Sequence, residues 1–286
     1  MMETNRKPEW LKKKISFSQE VASTEKLIEK LGLNTVCEGA ICPNRNECFA
    51  NRTATFMILG NYCTRNCRFC AVPNGKPELL NPNEPFLVGE AAKILGLKHI
   101  VVTSVTRDDL EDGGARHFAR TVVETRKMNP ESTIELLIPD LKGNWKALKI
   151  IIDARPDILN HNLETVPSLY SVVRPEANYH RSLELLNRTK ELNPDIKTKS
   201  GIMVGLGETE KEVISLMDDL IEVNCDMLTI GQYLSPSQDH LDVVEYIHPE
   251  QFDKYRVIAY QKGFKHVSCG VFVRSSYHAG DGIEVS

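Results

Sequence analysis

No stretch of this 286-residue sequence approaches the ~20 consecutive apolar residues needed to cross a bilayer, so no membrane-spanning helix is expected. The first fourteen residues are polar and basic and lack the apolar core of a secretory signal, which points to a cytoplasmic protein. Charge of either sign is not in excess. A net charge of −4 and an isoelectric point near 6.1 give no general reason to expect nucleic acid or a membrane as partner. Low-complexity segments are missing. Histidine does not occur before His99, so an N-terminal metal site would have to be built without imidazole. The remainder is ordinary globular usage, 41% hydrophobic and 26% charged, in a chain long enough for one large core.

The cysteines are unevenly placed. Six of the eight fall between Cys37 and Cys70, and only Cys225 and Cys269 lie elsewhere. A disulfide-stapled secreted protein would be smaller and would spread its cysteines along the chain. Clustering in a cytosolic chain reads instead as metal binding. Cys225 and Cys269 read as buried apolar thiols.

Beyond a short amphipathic stretch at 23–31, the first fifty residues show little periodicity. From Thr53 onward, apolar runs at 54–60, 99–103, 133–138, 157–160, 202–205 and 227–231 read as buried parallel strands. Helical patterns separate them at 88–97, 115–128, 144–153, 180–192 and 209–223. In the last, Thr209 and Glu212 form a capping box, and Val213, Leu216, Met217, Leu220 and Ile221 share one face. Six successive βα units imply an α/β fold, a partial (β/α)6 TIM-like barrel with right-handed crossovers. Chemistry then belongs at the carboxyl ends of the strands, and polar clusters do follow them at 61–70, 104–109, 140, 161–164, 205–208 and 232–237. An apolar run at 266–273 is expected to add a closing strand. The chain accordingly divides into an N-terminal extension (1–52), the barrel (53–264) and a C-terminal strand and tail (265–286).

Cys63-Thr-Arg-Asn-Cys67-Arg-Phe-Cys70 places three thiolates within eight residues, directly after the first strand. Three ligands so close can hold three corners of a 4Fe–4S cube and leave one iron open to a small molecule. The alternative is structural zinc, which wants four closed ligands, commonly in two pairs. The second triad, Cys37-Glu-Gly-Ala-Ile-Cys42-Pro-Asn-Arg-Asn-Glu-Cys48, has a spacing that suits no common zinc ribbon.

The C-x3-C-x2-C loop resembles that of the radical S-adenosylmethionine (SAM) superfamily, and the upstream triad resembles the auxiliary-cluster motif of the lipoyl synthase family. The resemblance runs from about Trp10 to Gly280. It includes Thr103-Ser-Val-Thr-Arg-Asp-Asp109, Asp112-Gly-Gly-Ala-Arg-His-Phe118, Asn160-His-Asn-Leu-Glu-Thr165, Thr198-Lys-Ser-Gly-Ile-Met-Val-Gly-Leu-Gly-Glu-Thr209, Gly231-Gln-Tyr-Leu234 and Arg274-Ser-Ser-Tyr-His-Ala279. One departure is Val271 after Gly270, where the family usually has proline.

The resemblance implies a sulfurtransferase with two 4Fe–4S clusters. Cys63, Cys67 and Cys70 would hold the cluster that cleaves SAM to a carbon radical. Cys37, Cys42 and Cys48, with Ser276 (or Ser275) as fourth ligand, would hold the cluster consumed as sulfur donor. The implied reaction inserts sulfur at the sixth and eighth carbons of an octanoyl group, using two SAM per lipoyl group. The octanoyl group rides on a lysine of a lipoyl-carrier domain, in a 2-oxoacid dehydrogenase E2 or a glycine-cleavage H protein. A ferredoxin or flavodoxin reductant and a cluster-repair protein are the other implied partners. Such chemistry cannot rest on side-chain acids and bases, because a saturated carbon has neither an acidic proton nor a leaving group.

Other positions carry two readings each. Phe69 lies beside the adenine or merely packs in its loop. Asn162 and Glu164 bind ribose hydroxyls, or Glu164 caps a helix. Arg174 pairs with the methionyl carboxylate or forms a surface salt bridge. Arg107 and Asp108 touch substrate or pair structurally. Gly205 and Gly207 admit a ligand or serve a turn. His161 reads as a packed, hydrogen-bonded side chain, and the basic stretch from Lys12 to Lys14 as a steering patch or a solvated arm. Rival functions are a methylthiotransferase or biotin-synthase-like enzyme, disfavoured by the compact upstream triad and the Arg-Ser-Ser-Tyr tail, and a non-catalytic metal sensor, which metal analysis would separate.

Overall fold

The computed structural model describes residues 7–13 and 18–280. One sheet holds eight strands in sequence order: β1 (Asn34–Thr35), β2 (Thr55–Ile58), β3 (His99–Ser104), β4 (Thr133–Leu137), β5 (Ile158–Asn160), β6 (Lys197–Val204), β7 (Met227–Gln232) and β8 (His266–Gly270). From β2 to β8 every neighbour is parallel, whereas β1 runs antiparallel to β2. Among the described residues β8 pairs only with β7, so the barrel is partial and open. The run expected as a closing strand therefore lengthens the sheet at its edge. It stops at Gly270 because the chain reverses there, with Val273 N–H donating to the Gly270 carbonyl at 3.0 Å. Val271 occupies that turn without proline.

Helices follow the strands as the periodicity requires: α4 (Glu84–Leu95), α5 (Ala115–Met128), α6 (Trp145–Asp153), α8 (Tyr179–Leu192) and α9 (Glu210–Glu222). Thr209 and Glu212 form both halves of the capping box on α9. Before the barrel lie α1 (Gln19–Lys30), α2 (Val36–Gly39) and α3 (Arg45–Ala50), and a short α7 (Tyr170–Val173) precedes α8. A helix the periodicity did not announce, α10 (Pro249–Lys262), leads into β8. It buries Phe252, Tyr255 and Ala259 but exposes Val257 and Tyr260, which blurs its amphipathic contrast.

Cross-strand partners share a face. Phe56, Ile58, Val102, Leu136, Leu159 and Ile230 are buried in the core on one face of the sheet. The other, concave face carries Thr55, Met57, Thr103, Glu135, Asn160, Lys199, Gly201, Thr229 and Gly231. On it Lys199 Nζ meets both Glu135 carboxylate oxygens at 3.0 and 3.1 Å, with Asn160 Nδ2 at 2.9 Å and His99 Nε2 at 3.2 Å. Burial alone would raise the Glu135 pKa, but Lys199 and His99 hold it at about 2. That pairing lets β6 begin at Lys197, five residues before the apolar run that marked it in the sequence.

Candidate active site

The loop after β2 carries Cys63, Cys67 and Cys70 and is fastened on several sides. Cys63 N–H donates to the Pro73 carbonyl at 2.9 Å, and Gly75 N–H donates to the Cys63 carbonyl at 3.2 Å, which folds the loop back on itself. Thr64 donates to the Thr106 carbonyl beyond β3 through both its N–H and its hydroxyl, each at 3.0 Å, and its Oγ1 accepts from Asp108 N–H at 3.0 Å. Arg68 N–H reaches the Val173 carbonyl at 3.1 Å, and His240 Nε2 lies 3.1 Å from the Cys70 carbonyl. Arg65, 4% exposed, spans two carboxylates: Nε and Nη2 to Asp108 at 2.6 and 3.0 Å, and Nη2 to the fully buried Asp140 at 2.7 Å. Arg181 meets Asp140 from the other side at 2.8 Å. Of this network the sequence suggests only that Asp108 pairs structurally; Arg65 between the first two cysteines and the link to Asp140 carry no such signal.

Cys67 and Cys70 each lie within electrostatic reach of the neighbouring thiols of the loop. Burial is the larger influence on their pKa values, lifting Cys70 to about 12 and Cys67 above its usual value, with Arg174 opposing at Cys67. Backbone N–H groups of Arg65 and Thr106 point at Cys63 Sγ from 3.4 and 3.3 Å, a setting that favours a coordinated thiolate. Among the described residues no three Cys, His, Asp or Glu side chains meet as ligands of one metal ion do.

Asn162, Glu164 and Arg174 come together beside this loop. Asn162 Nδ2 donates to Glu164 Oε1 at 3.0 Å and to Ser275 Oγ at 2.7 Å. Glu164 caps no helix, since the following 3-10 turn is preceded by Val166, and its carboxyl is raised by burial against the pull of Arg174. Arg174 is buried rather than in a surface salt bridge. Its Nη1 donates to the carbonyls of Asn162 at 2.8 Å and Leu163 at 3.1 Å, and its guanidinium also reaches Cys67. Asn162 Oδ1 and Arg174 Nε are buried with no partner among the described residues, as polar groups awaiting a ligand would be. Phe69 packs on a small apolar cluster of Val173, Leu206 and Tyr233.

The second triad lies by the other end of β2. Cys37 on α2 is buried and hydrogen-bonds the backbone of Thr55, the first residue of that strand; Cys42 follows in a turn and Cys48 sits on α3. Burial first and the neighbouring thiols second lift Cys37 to about 11 and Cys48 to about 12. The C-terminal tail covers this triad. Asn44 Nδ2 donates to the Phe272 carbonyl at 2.7 Å, and Tyr277 OH donates to Glu47 Oε1 at 2.7 Å. Between them Tyr277 N–H bonds the Arg274 carbonyl at 3.0 Å, so Ser275 and Ser276 are the central residues of one turn. Arg274 is within electrostatic reach of Cys42 on one side and Glu164 on the other. The tail reaches the sheet because glycines admit it. A Cβ on Gly231 would come 2.1 Å from the Val273 carbonyl oxygen, and one on Gly201 would lie 3.3 Å from Ser275 Oγ.

Several other positions resolve to structural roles. Arg107 forks onto Asp109 at 2.8 and 2.9 Å and donates to the Leu59 carbonyl at 3.0 Å, while Asp108 serves Arg65. Gly205 and Gly207 adopt φ of +99° and +113°, and Glu208 accepts from the N–H groups of Gly205 and Leu206. His161 is buried between the Ile138 carbonyl and Ser182 Oγ, and burial pushes its pKa down to about 4. Cys225 and Cys269 are buried thiols lifted to about 12 by burial. Lys12 pairs with Glu9, Lys13 is bound to Glu47, and Lys14 lies outside the described residues.

Comparison with known proteins gives the family. A family model described as the radical SAM superfamily matches residues 57–220. Lipoyl synthase of Caldanaerobacter subterraneus subsp. tengcongensis is 59% identical over 283 residues, covering 99% of each chain. Lipoyl synthase of Caldicellulosiruptor saccharolyticus is 53% identical, covering 98% of each. Among solved structures, methylornithine synthase superposes with a TM-score of 0.52 at 15% identity, covering 94% of this chain and 89% of that one. SuiB of Streptococcus suis bound to S-adenosylmethionine gives 0.55 at 15% identity, over 79% of this chain and 53% of that one. These two share the fold. By the family model and by identity along almost its whole length, this chain belongs to the lipoyl synthase family of the radical SAM superfamily.

Proposed function

We propose that the protein inserts two sulfur atoms, at carbons six and eight, into an octanoyl group borne on a lysine of a lipoyl-carrier domain. Membership of the radical SAM superfamily brings a 4Fe–4S cluster and S-adenosylmethionine, and lipoyl synthase relatives bring an octanoylated carrier as substrate. The finer reading is that there are two clusters, one per triad, that the auxiliary one is consumed as sulfur source, and that two SAM are used per lipoyl group. The observation that carries it is the placing of two cysteine triads toward opposite ends of β2, with one tail turn touching the surroundings of both.

When bound, the SAM-cluster pair supplies a carbon radical able to take hydrogen from a saturated carbon. The chain's own residues have the tasks of binding, orientation and exclusion of water. Cys63, Cys67 and Cys70 provide three thiolates on a loop held still by Thr64 and Arg65. The unpartnered Asn162 Oδ1 and the nearby Glu164 carboxylate suit ribose hydroxyls, and the unpartnered Arg174 Nε suits the methionyl carboxylate. Phe69 would flank the adenine from its apolar cluster. Cys37, Cys42 and Cys48 provide the auxiliary thiolates. Ser276 would be the fourth ligand, as the resemblance to the family's Arg-Ser-Ser-Tyr motif implies, with Ser275, which accepts from Asn162, as the other choice. An alkoxide is harder than a thiolate and holds iron less well, which suits a cluster that must be dismantled.

The working division is an extension (1–52), a barrel (53–264) and a tail (265–286). A ferredoxin or flavodoxin would deliver electrons and a cluster-repair protein would rebuild the spent site. No helix among the described residues is long and apolar enough to cross a membrane, and a cytoplasmic setting fits reduced cysteines. The test separates the triads. Alanine at Cys63, Cys67 or Cys70 should abolish reductive cleavage of SAM. Alanine at Cys37, Cys42 or Cys48 should leave cleavage and eliminate lipoyl product. Product from an auxiliary-triad variant would refute the sulfur-donor assignment.

A further inference from the structure

We infer that Lys13 and Glu47 form a clasp that positions the C-terminal tail turn over the auxiliary triad. This rests on the reading just given, that the triad holds the sulfur-donating cluster and Ser276 completes it. Three segments far apart in sequence meet at one point. Lys13 Nζ bonds Glu47 Oε2 at 2.6 Å and Asn44 Oδ1 at 2.6 Å. Glu47 Oε1 accepts from Tyr277 OH at 2.7 Å and lies 3.5 Å from His278 Nε2, and Asn44 Nδ2 holds the Phe272 carbonyl at 2.7 Å. The Lys13 ammonium also lies 5.2 Å from the Phe272 ring centre and 5.4 Å from that of Tyr277, within cation–π range. Lys13 thus touches both residues of the triad loop that grip the tail, and both aromatic rings of the tail itself.

The placement of the grips matters. Asn44 and Glu47 sit between Cys42 and Cys48, so the tail is fastened to the segment that carries two of the three thiols. Phe272 and Tyr277 are the outer ends of the stretch containing Ser275 and Ser276. Fixing both ends fixes how far Ser276 can move from the triad, so the clasp acts on cluster retention through Ser276 and touches no reacting atom. Lys13 Nζ is bound by side chains of the triad loop and is not displayed for an incoming carrier domain.

The test compares Lys13→Met, Lys13→Arg, Tyr277→Phe and Ser276→Ala in the full chain. Two quantities are measured: amide hydrogen exchange of the peptide covering 272–280 in cluster-free protein, and iron loss to a chelator from reconstituted protein. Removing a charged hydrogen-bond partner that is partly exposed should speed both by about tenfold in Lys13→Met, with Tyr277→Phe affected in the same direction. Lys13→Arg should stay within about twofold of wild type, because the cation is kept. In Lys13→Met, Lys13→Arg and Tyr277→Phe, SAM cleavage and the thermal midpoint of the cluster-free chain should not change, which separates tail positioning from general destabilisation. Wild-type exchange in Lys13→Met would overturn the clasp even if Ser276→Ala lost iron quickly, leaving the ligand reading intact. Fast exchange in Lys13→Met with wild-type iron retention in Ser276→Ala would keep the clasp and overturn Ser276 as ligand.

Discussion

Replacing Arg65 with methionine should damage the radical loop without touching a cysteine. The side chain is 4% exposed and its guanidinium is shared by Asp108, 15% exposed, and Asp140, which is fully buried. Removing one partner of a buried pair costs about 3–5 kcal/mol, because the surviving charge is left desolvated. Among the described residues Asp140 keeps Arg181 at 2.8 Å, and Asp108 keeps only the well-exposed Lys142 at 3.7 Å. The lower end of that range is therefore expected, about 3 kcal/mol, which for a chain of this size lowers the thermal midpoint by roughly 5 °C. Burial would raise the Asp140 pKa, yet Arg65 foremost keeps it far below the usual carboxylate range, so the stability lost in the variant should be largest above the ordinary 3.8 and shrink as the pH falls below it. The assay is calorimetry of the cluster-free protein beside SAM cleavage by the reconstituted enzyme. Cleavage should fall by about tenfold or more as the segment between Cys63 and Cys67 loses its anchors. Arg65→Lys should be intermediate, since an ammonium cannot reproduce the fork. Adding Asp108→Asn to Arg65→Met should recover part of the stability. A midpoint within about 1 °C of wild type and undiminished cleavage would refute the reasoning.

Other consequences are as direct. Gly231→Ala places a methyl 2.1 Å from the Val273 carbonyl oxygen, so the tail must shift; lipoyl formation should be lost while SAM cleavage survives, as product analysis beside cleavage would reveal. His161 is neutral and its folded pKa of about 4 is below the ordinary 6.5, so the unfolded chain takes up the proton first as pH falls. Its contribution, about 3 kcal/mol, is fully present above pH 6.5 and is lost progressively toward pH 4. His161→Gln should flatten the stability profile across that window, and an unchanged slope would show that another group titrates there. Thr209→Ala removes the capping box of α9 and should cost about 1 kcal/mol in denaturant unfolding, with no effect on either cysteine triad.

Much of this was legible in the sequence because it is local. The capping box and the βα alternation rest on patterns of residues a few positions apart, and both appear where those patterns place them. Polar residues that are neutralised across the sheet were less legible. Lys199 hides the start of β6 because hydropathy cannot anticipate Glu135 on another strand, 64 residues away. The helix α10 was missed because exposed Val257 and Tyr260 mask its buried face. At the site, the cysteines announce themselves, whereas the Arg65 network joins residues 43 and 75 positions apart and the Glu47–Tyr277 contact spans 230. Nothing local encodes such contacts.

The central claim is that the chain itself supplies the inserted sulfur from the site of Cys37, Cys42, Cys48 and Ser276. It is tested by rebuilding both clusters with heavy sulfide, removing the excess, and reacting the protein with SAM, reductant and an octanoylated carrier domain in ordinary sulfide. Mass spectrometry of the carrier lysine should then show heavy sulfur at both positions, with product stopping at a single lipoyl group per chain. Light sulfur in the product, or many turnovers without a supply of new clusters, would contradict the account.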